Sequence, residues 1–183
     1  MLQKLFRFLK PTFPLRGRGA LPFRGLAGLL LLLASCSPNP RLQTPGVAYL
    51  QGIWKQDSVA GQQQLLNYSL YQFKFTCDSF YVQQQSVSKV NYGADTCMNR
   101  GRWTEYMKGH YEQRHDTLRL KGFFCDARYK IKNEGGCFRV GVYDESFTVK
   151  KTTDSLLQLS STEGVVPIEV RLVKKMSCHP QPL

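Results

Sequence analysis

From residue 47 onward, short runs of aromatic, β-branched and long polar residues are broken by Gly, Asn and Asp about every eight to twelve positions, the punctuation of strands joined by tight turns. The run 66–77 shows it most plainly. Tyr71, Phe73 and Phe75 share one parity, while Leu70, Gln72 and Lys74 share the other, so a strand here has one aromatic face and one wet face. Further strands are predicted over 47–57, 80–85, 87–92, 102–107, 109–114, 117–121, 123–132, 138–142, 146–151, 155–160 and 167–174. Turns are predicted at Asp78-Ser79, His115-Asp116, Asn133-Glu134-Gly135-Gly136, Asp144-Glu145 and Thr153-Asp154. The Gln-rich connection 58–64 suits a helical turn, and no long window after residue 36 carries a helical period.

These twelve runs are read as about nine or ten short antiparallel strands in one domain. A closed up-and-down barrel and a two-sheet sandwich both accommodate them. Closure removes edge strands, and consecutive hairpins with short loops are the connectivity of a meander barrel. A Greek-key sandwich needs a long crossover, and the long connections expected are 58–66 and 93–101 alone. The expected fold is therefore all-β, a single antiparallel meander barrel over 47–183.

The first 35 residues follow a different logic. Lys4, Arg7, Lys10, Arg16, Arg18 and Arg24, with no acidic residue among them, precede a short leucine run and then small residues, the order of an export signal. The run is too short to span a bilayer, which takes about 20 apolar residues. Leu33-Ala34-Ser35-Cys36 resembles the lipobox of bacterial lipoproteins. That resemblance implies cleavage before Cys36, acylation of Cys36 (palmitate among the chains) and attachment to the membrane. Ser37 follows with no acidic run, which resembles outer-membrane sorting with the protein facing the periplasm of the cell envelope. Residues 36–46, with three prolines and no apolar periodicity, read as a flexible tether.

This division changes the charge. The whole chain carries +12, from 25 Lys and Arg against 13 Asp and Glu, but six of the basic residues lie in the export signal, leaving +6 beyond it. The remaining cations are scattered in ones and twos, without the clustered face of a nucleic-acid binder. With Cys36 acylated, Cys77, Cys97, Cys125, Cys137 and Cys178 sit in a compartment where disulfides persist. Two bridges and one leftover thiol allow 15 connectivities. Local separation favours Cys77 with Cys97 and Cys125 with Cys137, each pair facing across neighbouring strands. The fate of Cys178 stays open. No pair has redox or zinc-knuckle spacing, and no metal or other cofactor is expected.

Gly52-Ile53-Trp54 in the first strand, with Arg171 in the last, resembles the lipocalin and calycin signature. That resemblance implies that Arg171 packs over the Trp54 indole and closes one end of the barrel, a favourable pairing of a guanidinium with a large ring. The aromatic surplus, above all Tyr71, Phe73, Phe75 and Trp103, could fill a core or line an apolar pocket.

A second resemblance runs through residues 49–54, 75–81, 94–97, 101–106 and 116–122 and Cys178. It is similar to a family of small envelope lipoproteins of gut- and soil-type Gram-negative bacteria, some of which carry a fumarate hydratase label. Fumarases resemble either large helical tetramers with a flexible Ser-containing loop or iron–sulfur enzymes with three ligand cysteines, and neither pattern is present. No Gly-X-Ser-X-Gly, P-loop or His-Glu-X-X-His occurs. His110 and His115 fall on opposite strand faces, and the Asp residues sit mainly at turns. No catalytic residue is expected. The reading is a lipid-anchored barrel that binds a small apolar or amphipathic ligand or a peptide, or alternatively an interaction or inhibitor lipoprotein that holds an envelope protein.

Overall fold

Eight strands, each hydrogen-bonded antiparallel to the next, run in sequence order around a closed barrel in the computed structural model, which describes residues 43–90, 96–133, 137–162 and 164–181. They are β1 (Gly52–Lys55), β2 (Asn67–Thr76), β3 (Ser79–Ser88), β4 (Arg102–Arg114), β5 (Thr117–Cys125), β6 (Val142–Thr153), β7 (Leu156–Ser161) and β8 (Ile168–Lys175). β1 closes the ring against β8. The export signal, Cys36 and tether residues 37–42 lie outside the described residues.

The predicted strands 80–85 and 87–92 fuse largely into β3, and 102–107 and 109–114 fuse into β4. Gly109, expected to open the strand 109–114, and Gly122, expected to separate 117–121 from 123–132, stand opposite each other inside continuous strands. A Cβ on Gly109 would lie 2.1 Å from the Lys121 carbonyl oxygen, and one on Gly122 would lie 2.0 Å from that of Lys108. The two glycines let β4 and β5 curve tightly around the barrel, a corner and not an end. Conversely, 126–132 and 138–141, read as strand, belong to a long excursion between β5 and β6 whose aromatic residues Tyr129 and Phe138 pack on the barrel. Tyr129 sits edge-on to Tyr81 and Tyr106, with ring centroids 5.1 and 5.6 Å apart. The turn placed at Asp144-Glu145 is absent as well, since both residues lie within β6.

Connection lengths give the barrel two unlike ends. The turns after β2, β4 and β6 are tight and share one end, the base, with residues 43–51 and the C-terminal segment. The four longer connections gather at the other end, the mouth. Alternation then fills the interior from the base up. Leu50, Trp54, Phe73, Phe75, Phe80, Met107, Leu118, Leu120, Leu157 and Leu159 are all below 2 % exposed. The Gln51 side chain seals the base, accepting from the Cys77 backbone N–H (2.7 Å) and donating to the Cys77 carbonyl oxygen and the Tyr111 hydroxyl (2.9 Å each).

Residues 43–46, expected to be free tether, run along that base. Thr44 donates from its backbone N and its Oγ1 to Asp78 Oδ2 (2.9 and 3.0 Å), and Gln43 Nε2 donates to Ser79 Oγ (2.7 Å). Their composition offers no apolar face, but their polar groups satisfy those of the β2–β3 turn.

The disulfides differ from the locally favoured pairs. Cys77 is bonded to Cys178 and Cys97 to Cys137, while Cys125 is a buried free thiol. Closure decides this: joining β1 to β8 carries the C-terminal segment beside the β2–β3 turn, and Cys97 and Cys137 both belong to mouth connections.

Candidate binding site at the barrel mouth

Above the packed interior the mouth opens into a cavity of about 510 Å³, within the range of small-molecule pockets. Tyr71 and Ser69 of β2, Gln84 of β3, Tyr143, Glu145 and Phe147 of β6, Ser161 of β7 and Ile168 of β8 face it, joined by Leu65, Val166 and Arg139 from the mouth connections. The wall is therefore mixed, aromatic and aliphatic with a few polar groups.

Strand parity sets which charges enter. Tyr143, Glu145, Phe147 and Val149 alternate inward along β6, while Asp144 points outward to an exposed ion pair with Arg119 (2.6 Å). On β4, Glu105 lies between Trp103 and Met107 on the inward parity and is buried, with 6 % of its side chain exposed. Its partner comes from the β5–β6 excursion. Arg139 donates from Nε to Glu105 Oε1 (3.1 Å), from Nη2 to Glu105 Oε2 (2.9 Å) and from Nη2 to Gln84 Oε1 (2.9 Å), while its guanidinium carbon stands 4.8 Å from the centre of the Phe124 ring. This bidentate pair, with the Cys97–Cys137 bridge and the stacking of Phe138 on Trp103 (5.4 Å), fastens the excursion at the mouth. Hydrogen bonding to Glu105 outweighs desolvation and holds the Arg139 guanidinium above its ordinary value.

The other polar groups are less committed. Glu145 Oε1 accepts a short hydrogen bond from Ser161 Oγ, and Oε2 has no partner among the described residues. Tyr143 is 7 % exposed, and neither its hydroxyl nor that of Tyr71 has a hydrogen-bond partner among the described residues. Burial pushes both phenols up, and the Glu145 carboxylate pushes the same way.

Of the residues singled out as pocket lining, Tyr71 faces the cavity. Phe73 and Phe75 lie beneath it, stacked 6.1 Å apart in the core, and Trp103 is covered by Phe138. The expected Arg171 lid over Trp54 does not form. Arg171 pairs with Lys55 across β1 and β8, the parity opposite to Trp54, and binds Asp57 on the outer surface at 3.1 Å. Trp54 is covered instead from within the chain, its Nε1 donating to the Leu50 carbonyl oxygen at 2.7 Å. Gly52 keeps a steric role, since a Cβ there would lie 2.6 Å from the Lys174 carbonyl oxygen. Glu145 was hidden in the sequence by a turn assignment and Arg139 by a strand assignment. The alternation Tyr143, Glu145, Phe147, Val149 was the available signal for the first.

No protein-family model, curated protein or solved structure matches the chain. The mouth's own chemistry is what points to a role.

Proposed function

We propose that this protein is a lipid-anchored lipoprotein of the bacterial envelope, held at the outer membrane through Cys36, whose barrel takes a small apolar or amphipathic guest at its mouth. One observation carries the binding reading: the interior is divided, with side chains packing the lower part and a cavity of about 510 Å³ standing open above them. A guest would be held shallowly between the mouth connections, not deep in the barrel. The lipocalin-like assignment is supported by an eight-stranded meander with its longer connections at one end, and loses support from the missing Arg171 lid. Export is supported by the signal-like first 35 residues and by two disulfides that join distant segments.

The second reading, a protein partner, draws on a different surface. Phe123 and Val142 are cross-strand neighbours, 43 and 60 % exposed, with Ile131 and Val140 also exposed on the same excursion.

Gentle isolation from envelope membranes followed by native mass spectrometry separates the two readings. Co-purification of a small molecule at unit stoichiometry, lost on denaturation, is the result expected of a binding barrel. A stoichiometric protein partner with an empty mouth would overturn it in favour of the second reading.

A further inference from the structure

Among the described residues the charges lining the mouth cavity do not balance, and the imbalance selects a ligand class. Arg139 is the one cation and Glu145 the one anion lining the cavity among the described residues, but Arg139 is already claimed by buried Glu105 through two charge-assisted hydrogen bonds. An anionic guest that drew Arg139 away would leave Glu105 buried and unpaired, which is strongly unfavourable. Glu145 has no such commitment, because Ser161 occupies a single oxygen. Glu105, Arg139 and Glu145 together carry one net negative charge in a recess walled by the rings of Tyr71, Tyr143 and Phe147, whose faces attract cations. The Tyr143 hydroxyl, on a residue 7 % exposed, has no partner among the described residues and is open to the cavity, adding an acceptor at the same place. Leu65, Val166 and Ile168 supply apolar contact for a tail.

Building on the binding reading, we propose that the guest is a monocationic amphiphile, an alkylammonium or quaternary ammonium head with an apolar chain, its head against Glu145 and the tyrosine rings. The positive net charge of the chain as a whole does not oppose this, since a local carboxylate in a recess sets the potential there.

The test compares three probes of equal chain length, hexyltrimethylammonium, hexanoate and 1-hexanol, titrated calorimetrically into the full chain carrying Cys36→Ser, which cannot be acylated at that position. Saturable binding of hexyltrimethylammonium, at least about tenfold tighter than either other probe, is expected. Glu145→Gln, which can still accept the Ser161 hydrogen bond, should lose about tenfold in affinity for the cation and nothing for the alcohol. Melting curves of the variant establish that it is folded. Should Glu145→Gln fail to fold, Tyr143→Phe takes its place, with a several-fold loss for the cation alone expected. Preference for hexanoate, or equal binding of cation and alcohol, overturns the cation inference and leaves the binding barrel standing. Absence of binding by all three overturns both.

Discussion

Truncating Arg139 is the sharpest test of how the mouth is built. Arg139→Ala removes two side-chain hydrogen bonds to Glu105, at 3.1 and 2.9 Å, one to Gln84 at 2.9 Å, and the cation–π contact with Phe124. Breaking a fully buried ion pair from one side costs about 3–5 kcal/mol. Here the arginine side chain is 53 % exposed while the glutamate is 6 % exposed, so water would enter where the guanidinium stood and rehydrate part of the carboxylate. That lowers the expectation to about 2 kcal/mol, near the cost of one unsatisfied buried charged acceptor. For a domain of this size the loss amounts to roughly 8 °C in Tm. The assay is thermal unfolding followed by circular dichroism at neutral pH, as a cycle with Glu105→Gln. Because the cost comes from an orphaned charge, the double variant should be more stable than the sum of the single changes predicts, by about 1.5 kcal/mol. Single effects that simply add, or an Arg139→Ala loss below about 0.5 kcal/mol, would refute the claim that this pair fastens the excursion.

Further outcomes follow from the corner, the base and the anchor. Gly122→Ala forces a Cβ to within 2.0 Å of the Lys108 carbonyl oxygen, so chemical denaturation should show a loss of about 3 kcal/mol or no folded barrel; a loss near zero would mean that the strands do not meet so closely there. At the base, burial pushes the Asp78 carboxyl up, but the two Thr44 hydrogen bonds and His110 outweigh it and hold it below the usual range. A depressed folded value means that the contact with residues 43–46 is intact above that value and is lost as pH falls through it. The Thr44 amide resonance should therefore titrate with a midpoint below about 3.9, and Asp78→Asn should abolish the transition. Cys36→Ser should give a folded barrel that no longer fractionates with membranes as a processed, acylated species; persistence of such a species would refute the anchor.

The strand parity of residues 71–75 was legible from the sequence alone, because alternation over a long strand leaves one consistent assignment of faces. Breaks were less legible than faces. Gly109 and Gly122 carry the same local signal as a turn glycine, and only their mutual approach across β4 and β5 makes them a corner. Tyr129 and Phe138 have the composition of strand residues, yet their partners are Tyr81, Tyr106 and Trp103, tens of residues away and invisible to a local pattern. The cysteine pairs failed for a related reason, since nearness along the chain says little once β1 and β8 close the ring. Arg171 could have been discounted only by knowing its register, because one residue's shift exchanges the inner and outer faces. The central pair of the mouth, Glu105 with Arg139, joins residues 34 apart and had no local signature at all.

The claim at the centre is that the barrel is packed below and open above. Fluorescence titration of the full chain carrying Cys36→Ser with the neutral probe N-phenyl-1-naphthylamine tests it most directly, compared with Ser69→Phe, which places a ring into the cavity from β2. Saturable, blue-shifted emission at one site per chain, lost in Ser69→Phe while cooperative melting is retained, is the predicted result. Emission that never saturates, or that survives Ser69→Phe unchanged, would contradict an open mouth above a closed core.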